Sequence, residues 1–213
     1  MNLSPIDLLT AGAALLAVWM CGVTSVSSLL GKLALQTALL AVITMLIGVR
    51  LHAEHYLWLA VIVLLVKAIG IPFYLSHVAE RLQIRRDTGI VLNPMMALLV
   101  GCGILTAGYF LAPSIAAPLG HAGAAGMALA LLLIGMLLMI TRRLALSQII
   151  GFLVLENGIF LYGLTQTHGM PLLVEMGVVF DMLVGVMVAG LVIFRLNRSF
   201  EHIDVTQLRG LRH

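Results

Sequence analysis

Three ionisable side chains lie in the middle of long apolar segments of this 213-residue chain. Glu156 lies in SQIIGFLVLENGIFLYGLTQT, Asp181 in LVEMGVVFDMLVGVMVAGLVIF, and Lys67 in HYLWLAVIVLLVKAIGIPFYL. A charge at the centre of a bilayer costs roughly 2.5–3.5 kcal/mol on insertion scales, so it is seldom present without a role. Three such groups at similar depth predict a buried polar track that handles protons or ions.

Asn157 directly follows Glu156 and adds a second hydrogen-bonding group at that depth. The alternative role for these residues is a polar clamp between helices, which contributes about 0.6 kcal/mol on average. An amide could form that clamp without a charge. We therefore expect Glu156 to handle protons or ions, with Asn157 as an accessory group.

Asp181 shares one face of its predicted helix with Gly177 and Gly185, four residues to either side. Small residues let another backbone come close, so the alternative role is a packing contact with one polar tether. Burial favours the protonated carboxyl and a nearby cation favours the carboxylate, so an acid between the two can take and release protons. Glu175 lies about one turn inside the outer end of this helix. The simpler interpretation is a solvated acid at the membrane surface, and the alternative is an accessory role in the track.

Lys67 is followed by Gly70 and Pro72 in its apolar segment. Because Pro72 has no N–H, the carbonyl of Ala68 loses its helical partner, and such a gap is tolerated in a membrane where protein or water satisfies it. Lys67 could relay protons there, or it could form a static ion pair with a carboxylate of this chain or of a neighbour. The sequence leaves both roles open.

The composition is that of a polytopic membrane protein. Hydrophobic residues make up 62% of the chain and charged residues only 10%, whereas soluble domains have about 25% charged residues. Segments of about 20 apolar residues can cross a bilayer. The sequence predicts an all-α single domain, 1–213, with seven transmembrane helices at 6–26, 29–49, 56–78, 90–111, 121–141, 146–167 and 172–194.

The basic residues predict the orientation of these helices. One side holds only Arg50, and the other side holds Lys32, Arg81, Arg85, Arg86, Arg142, Arg143, Arg195, Arg198, Arg209 and Arg212. By the positive-inside rule, the N-terminus lies outside and residues 195–213 form a cytoplasmic tail. The net charge of +3 therefore reflects arginines in loops, not a surface for nucleic acid.

No cofactor or metal site is expected in this chain. Cys21 and Cys102 lie in apolar segments without a CxxC partner, and His52 and His55 at a helix junction give only a weak metal pattern. The sequence has no P-loop, glycine-rich cofactor loop or haem-attachment motif. A proton track without its own chemistry implies a partner that supplies the redox or ion-coupling step.

The two halves of the chain echo each other. The pattern S-x3-G-x4-Q that ends at Gln36 matches S-x3-G-x4-E that ends at Glu156, at an offset of 120 residues. Lys67 holds the mid-membrane place in the third predicted helix that Asp181 holds in the seventh. We expect a parallel repeat of one three-helix unit, 6–78 and 121–194, joined by the linking helix 90–111. Gln36 then becomes a further accessory group.

Five stretches of the sequence resemble component E of hydrogenase-4, a membrane subunit of energy-converting nickel–iron hydrogenases and formate hydrogenlyase-type complexes. They are VKAIGIPFYLSHVAERL, NPMMALL, SQIIGFLVLENGIFLYGLTQ, LLVEMGVVFDMLVGVMVAGLVIFRL and HIDVTQLRGL. The resemblance covers about residues 55–210, and the first fifty residues match in pattern only.

The last three predicted helices are also similar to the K subunit of respiratory complex I and to the C subunit of multisubunit sodium/proton antiporters. In the complex I subunit, two membrane-embedded acids on consecutive helices belong to a lateral proton axis, and their places match Glu156 and Asp181. The second acid is a glutamate in complex I, so the aspartate here reaches one methylene less far. Lys67 has no counterpart in these three-helix subunits.

The resemblance implies a non-catalytic subunit of a hydrogenase complex in the cytoplasmic membrane of a bacterium or archaeon. Its partners would be antiporter-like membrane subunits and the hydrogenase-anchoring subunit, with the nickel–iron centre and iron–sulfur clusters in partner subunits. The alternatives are a subunit of a multisubunit cation/proton antiporter without a redox partner, and a structural spacer between pump subunits. Whether H⁺ or Na⁺ is moved, and which molecule donates electrons, stays open.

Overall fold

The computed structural model describes residues 5–87, 89, 91–116, 121–166 and 190. Six helices have described bounds: α1 Pro5–Cys21, α2 Val26–Leu51, α3 Glu54–Arg81, α4 Pro94–Ile115, α5 Ala122–Thr141 and α6 Ala145–Gln166. Helices α2 to α6 are each long and apolar enough to cross a membrane, and α1 is a shorter apolar helix of 17 residues. The chain is therefore a multi-pass membrane protein whose described part is helical.

The first six predicted spans correspond to these six helices, whereas the predicted seventh helix, 172–194, lies outside the described residues. The predicted joint between the first two helices was wrong by several residues, because α1 already ends at Cys21 and α2 begins at Val26. The turn between them pairs with the segment that follows α3. The N–H of Val26 donates to the carbonyl of Arg85, and the N–H of Asp87 donates to the carbonyl of Thr24.

The predicted bounds of the fourth helix, 90–111, were also wrong, since α4 spans Pro94–Ile115. The side chain of Asn93 accepts a hydrogen bond from the N–H of Met95 and so caps the helix, and Pro94 occupies the first helical position, where no N–H is needed. At the other end Pro113 lies inside the last turn of α4. The sequence had placed it in the following loop.

Three interhelical connections meet at one end of the bundle. Besides its contacts with the α1–α2 turn, the segment after α3 also pairs with the α5–α6 turn: the N–H of Val91 donates to the carbonyl of Thr141, and the N–H of Arg143 donates to the carbonyl of Gly89. This end, which we call the basic end, carries Lys32, Arg81, Arg85, Arg86, Arg142 and Arg143, with Glu80 and Asp87 as described acids. The charge asymmetry seen in the sequence is therefore a property of one surface.

Arg142 lies in the connection between α5 and α6, as the sequence predicted, but its side chain is buried. Its side chain is 2% exposed, and its Nη2 atom donates to the carbonyls of Met20, Cys21 and Val23 at 2.7–3.2 Å. The last carbonyls of a helix have no intrahelical partner and carry partial negative charge. The guanidinium supplies both the missing hydrogen-bond donors and a compensating positive charge. Burial lowers the pKa of Arg142 from its ordinary value, and the carboxylate of Asp87 opposes that shift.

Helices α5 and α6 form the most extensive contact in the described part of the bundle. A Cβ atom at Gly135 would lie 2.4 Å from the backbone nitrogen of Leu155, and one at Gly158 would lie 2.6 Å from that of Leu132. The two backbones can approach this closely only where side chains are absent. This contact fixes the orientation of α6 beside its polar residues.

Candidate functional site

Lys67 of α3 and Glu156 of α6 meet inside the helix bundle. The Nζ atom of Lys67 donates a hydrogen bond to Oε1 of Glu156 at 2.6 Å. The two side chains are 8% and 2% exposed. Glu156 lies about 16 Å along α6, at 1.5 Å per residue, which is mid-membrane depth. The sequence left open whether Lys67 pairs within this chain, and the structure gives it a partner here.

A π-helical segment, Val63–Gly70, carries Lys67. The N–H of Ile71 donates to the carbonyl of Val66, five residues earlier, as the π pattern requires. The sequence predicted a carbonyl without a partner at Ala68, because Pro72 has no N–H. That prediction assumed an α-helical pattern, whereas this segment is π-helical. The backbone thus departs from the α pattern at the residue that carries the buried cation, and such departures are frequent at functional sites.

Phe160 lies one turn after Glu156 on α6 and covers the ion pair. The Nζ atom of Lys67 is 5.7 Å from the centre of the Phe160 ring, and this side chain is 7% exposed. At that distance the ring face attracts the cation weakly. The aromatic ring also keeps the pair in surroundings of low polarity, where charge interactions are stronger than in water.

Two of the predicted accessory side chains, Asn157 and Gln36, form a hydrogen-bonded group with Thr37 next to the ion pair. Nδ2 of Asn157 donates to Oε1 of Gln36 at 3.3 Å and to Oγ1 of Thr37 at 3.0 Å. Nε2 of Gln36 donates to the carbonyl of Ala13 at 3.0 Å. Asn157, Gln36 and Thr37 are each at most 2% exposed. This polar group joins α6, α2 and α1 at the depth of the ion pair.

Thr37 is the one member of this polar group that the sequence analysis missed. A threonine inside a membrane helix usually bonds to its own backbone, so its type alone gave no signal. Its position could have identified it, because Thr37 lies 120 residues before Asn157, which is the offset of the predicted repeat. The side chains of these two residues are in contact.

Two predicted site residues cannot be placed. Asp181 and Glu175 lie outside the described residues, so the structure describes only Lys67 and Glu156 of the three residues predicted for the track. Among the described residues no three His, Cys, Asp or Glu side chains are grouped so that they could hold a metal ion. Cys21 and Cys102 are free cysteines.

Several known proteins are similar in sequence to this chain along most of its length. The uncharacterized protein Rv0085 of Mycobacterium tuberculosis is 33% identical over 210 residues, which are 97% of this chain and 96% of that protein. The chain belongs to the family of this mycobacterial protein. Hydrogenase-4 component E of Escherichia coli is 27% identical over 184 residues, 85% of each chain, and component E of Shigella flexneri matches equally. No family model matches the chain, and no solved structure matches it.

The likeness to hydrogenase-4 component E supports the resemblance that the sequence analysis drew from individual stretches. It extends over 85% of both chains, so it concerns most of the chain and not one helix pair. The resemblance to the complex I and antiporter subunits stays a prediction.

Proposed function

We propose that this chain is a membrane subunit of an energy-converting hydrogenase complex, in which Lys67 and Glu156 form part of a lateral proton-translocation track. The observation that carries the proposal is the buried ion pair between α3 and α6, with 2.6 Å between its charged atoms. An ion pair is a costly way to hold two membrane helices together. Replacing a buried pair with apolar residues is often neutral or stabilising, so its presence favours a role beyond stability.

The pair has the chemistry of a proton relay. A proton that passes from Nζ of Lys67 to Oε1 of Glu156 leaves a neutral amine and a neutral carboxylic acid. The acid can then give that proton to the next group of the track, and the amine can take one from the previous group. Asp181 is the proposed next acid, with Glu175 nearer the outer surface. Asn157 and Gln36 hold α6 against α2 and α1, so the relay groups keep their distance.

The helices also support a parallel repeat of 6–78 and 121–194. Helices α1 and α5 end at Cys21 and Thr141, which are 120 residues apart. Helices α2 and α6 begin at Val26 and Ala145, 119 residues apart. Residues that correspond in the two copies also touch, as Thr37 and Asn157 do. In a parallel repeat, such contacts occur at a pseudo-twofold axis along the membrane normal.

The proposed partners are antiporter-like membrane subunits and the subunit that anchors the hydrogenase. The nickel–iron centre and iron–sulfur clusters would lie in partner chains, and the isolated chain would neither oxidise nor evolve hydrogen. The basic end would face the cytoplasm, which places the N-terminus outside. A reporter fused after His213 should therefore be active only in its cytoplasmic form, and periplasmic activity would reverse this orientation.

The substitution Glu156→Gln tests the relay. It keeps the size and hydrogen bonding of the side chain but removes the proton that can be exchanged. The assembled complex in membrane vesicles should lose most of its proton pumping, measured with a pH-sensitive dye, while its subunits still co-purify. Glu54→Gln is the matched control, because Glu54 is an exposed acid in the first turn of α3.

The outcomes separate the three candidate functions. Full pumping in the Glu156→Gln complex would mean that Glu156 is only a polar clamp between helices, or that the chain is only a structural spacer. If the chain co-purifies with antiporter subunits and with no hydrogenase subunit, it would belong to a cation/proton antiporter. Loss of pumping in a complex that contains nickel and iron would agree with the proposal.

A further inference from the structure

A wide cleft opens at the basic end between the start of α2 and the end of α3. Its volume is about 990 Å³. Arg85 and Arg86 line it from the segment after α3, and Ser25 and Ser27 line it from the start of α2. Glu80 is the one acidic residue in the lining. The cleft therefore has a net positive charge and several hydrogen-bond donors.

Backbone hydrogen bonds to the start of α2 fix the segment that carries the two arginines. Arg86 and Ser25 form an isolated antiparallel bridge, and the carbonyl of Arg85 accepts from the N–H of Val26. The hydroxyl oxygens of Ser25 and Ser27 lie 3.1 Å apart. Since the N-terminal N–H groups of α2 lie beside these residues, the helix dipole adds to the positive potential.

The cleft also has an apolar part, beside the polar side chains of Ser76 and Gln83. Leu30, Ala79 and Ile84 line it together with the polar residues. Leu30 lies about one turn inside α2, and Ala79 lies in the last turn of α3. Because both helices are long enough to cross a membrane, the cleft opens where headgroups meet acyl chains. A molecule with an anion at one end and hydrocarbon at the other matches this lining.

We infer that this cleft binds the phosphodiester headgroup of an anionic phospholipid. Arg85 and Arg86 pair with the phosphate, the serine hydroxyls donate to its oxygens, and Leu30, Ala79 and Ile84 contact the start of an acyl chain. Basic pockets between membrane helices suit such headgroups. The inference does not depend on the proposed function, because it uses none of the groups of the ion pair.

The test uses the purified full-length chain in a neutral detergent, with the thermal unfolding midpoint and lipid adducts in native mass spectrometry as readouts. Phosphatidylglycerol should raise the midpoint and stay bound. Phosphatidylcholine with the same acyl chains should do neither, and inorganic phosphate should leave the midpoint unchanged. An equal effect of inorganic phosphate would mean a site for free anions and would overturn the inference.

Two variants locate the effect. Each basic residue near a membrane surface contributes about a factor of five in affinity, so Arg85→Gln with Arg86→Gln should weaken phosphatidylglycerol binding about 30-fold. Ser76→Trp should also weaken it, because Ser76 lines the cleft and the indole would fill it without removing a charge. The control, Arg50→Gln with Arg143→Gln, removes the same charge outside the cleft and should bind normally.

Three results would contradict the inference. Normal binding in the Arg85 and Arg86 variant would exclude the arginines as headgroup ligands. Normal binding in the Ser76→Trp variant would mean that the lipid senses surface charge and not the cleft. Binding that appears only after residues 195–213 are removed would mean that this acid-containing segment occupies the cleft.

Discussion

Two cations are buried in the part of the chain that the structure describes, Lys67 and Arg142, and they are satisfied in different ways. Lys67 in the membrane interior donates to the carboxylate of Glu156 at 2.6 Å. Arg142 at the basic end donates to three carbonyls at the end of α1 and just beyond it. A carboxylate can accept a proton near neutral pH in the right surroundings, and a peptide carbonyl cannot. The first arrangement therefore suits proton exchange, and the second suits the fastening of helices.

This contrast predicts different consequences for the loss of each cation. Removal of Lys67 changes both stability and proton transfer, because its partner is a titratable group. Removal of Arg142 should change stability and not proton transfer, because the groups that accept its hydrogen bonds are peptide carbonyls, which do not titrate. Three substitutions, taken from the largest expected effect to the smallest, test this difference.

Lys67→Met should have the largest effect. It takes away the cation beside the buried carboxylate of Glu156, and breaking one side of a buried pair costs about 3–5 kcal/mol. Unfolding in detergent, followed by loss of helical signal, measures the stability. Adding Glu156→Met should recover most of that stability while pumping stays abolished.

The assembly and pumping of the single Lys67→Met variant distinguish the two roles that the sequence left open for Lys67. If Lys67 only pairs statically, Lys67→Met lowers stability and assembly. If it relays protons, the complex assembles and coupling fails. Wild-type stability together with wild-type pumping in Lys67→Met would remove this residue from the proposed track.

Arg142→Met should lower the stability by about 1.5–3 kcal/mol, the range for hydrogen bonds to charged groups. Pumping per assembled complex should not change, since Arg142 donates its hydrogen bonds to peptide carbonyls at the basic end, away from the Lys67–Glu156 pair. The neighbouring Arg143→Met is the matched control, because Arg143 is exposed and its hydrogen bond to the carbonyl of Gly89 comes from its backbone N–H, which the substitution keeps. Equal destabilisation by both variants would contradict the fastening role.

Gln36→Leu should have the smallest effect. It removes one bond from Asn157 and one to the carbonyl of Ala13, and interhelical bonds in membranes average about 0.6 kcal/mol each, so the loss should be about 1 kcal/mol. Thr165→Val is a control, because the Thr165 hydroxyl donates to carbonyls of its own helix. If Gln36→Leu lost pumping as completely as Glu156→Gln, Gln36 would belong to the proton track and would not be only a positioning residue.

The sequence alone determined that this is a membrane protein, the approximate positions of its first six helices, and the two ionisable residues that now form the described ion pair. These features depend on local properties. Apolar length decides which segments cross a membrane, and the cost of a charge in hydrocarbon makes Lys67 and Glu156 conspicuous whatever surrounds them. The helix ends were less well predicted, since the start of α2 depends on pairing with the segment after α3.

The tertiary structure decided which groups meet. Lys67 and Glu156 are 89 residues apart, and Arg142 is about 120 residues from the carbonyls that it caps. Such contacts depend on how α3 and α6 pack and on how α5 meets the end of α1, which apolar periodicity does not encode in a helix that is hydrophobic all round. The π-helical segment at Lys67 is decided there too, because the choice between hydrogen-bond patterns depends on what the lysine must reach.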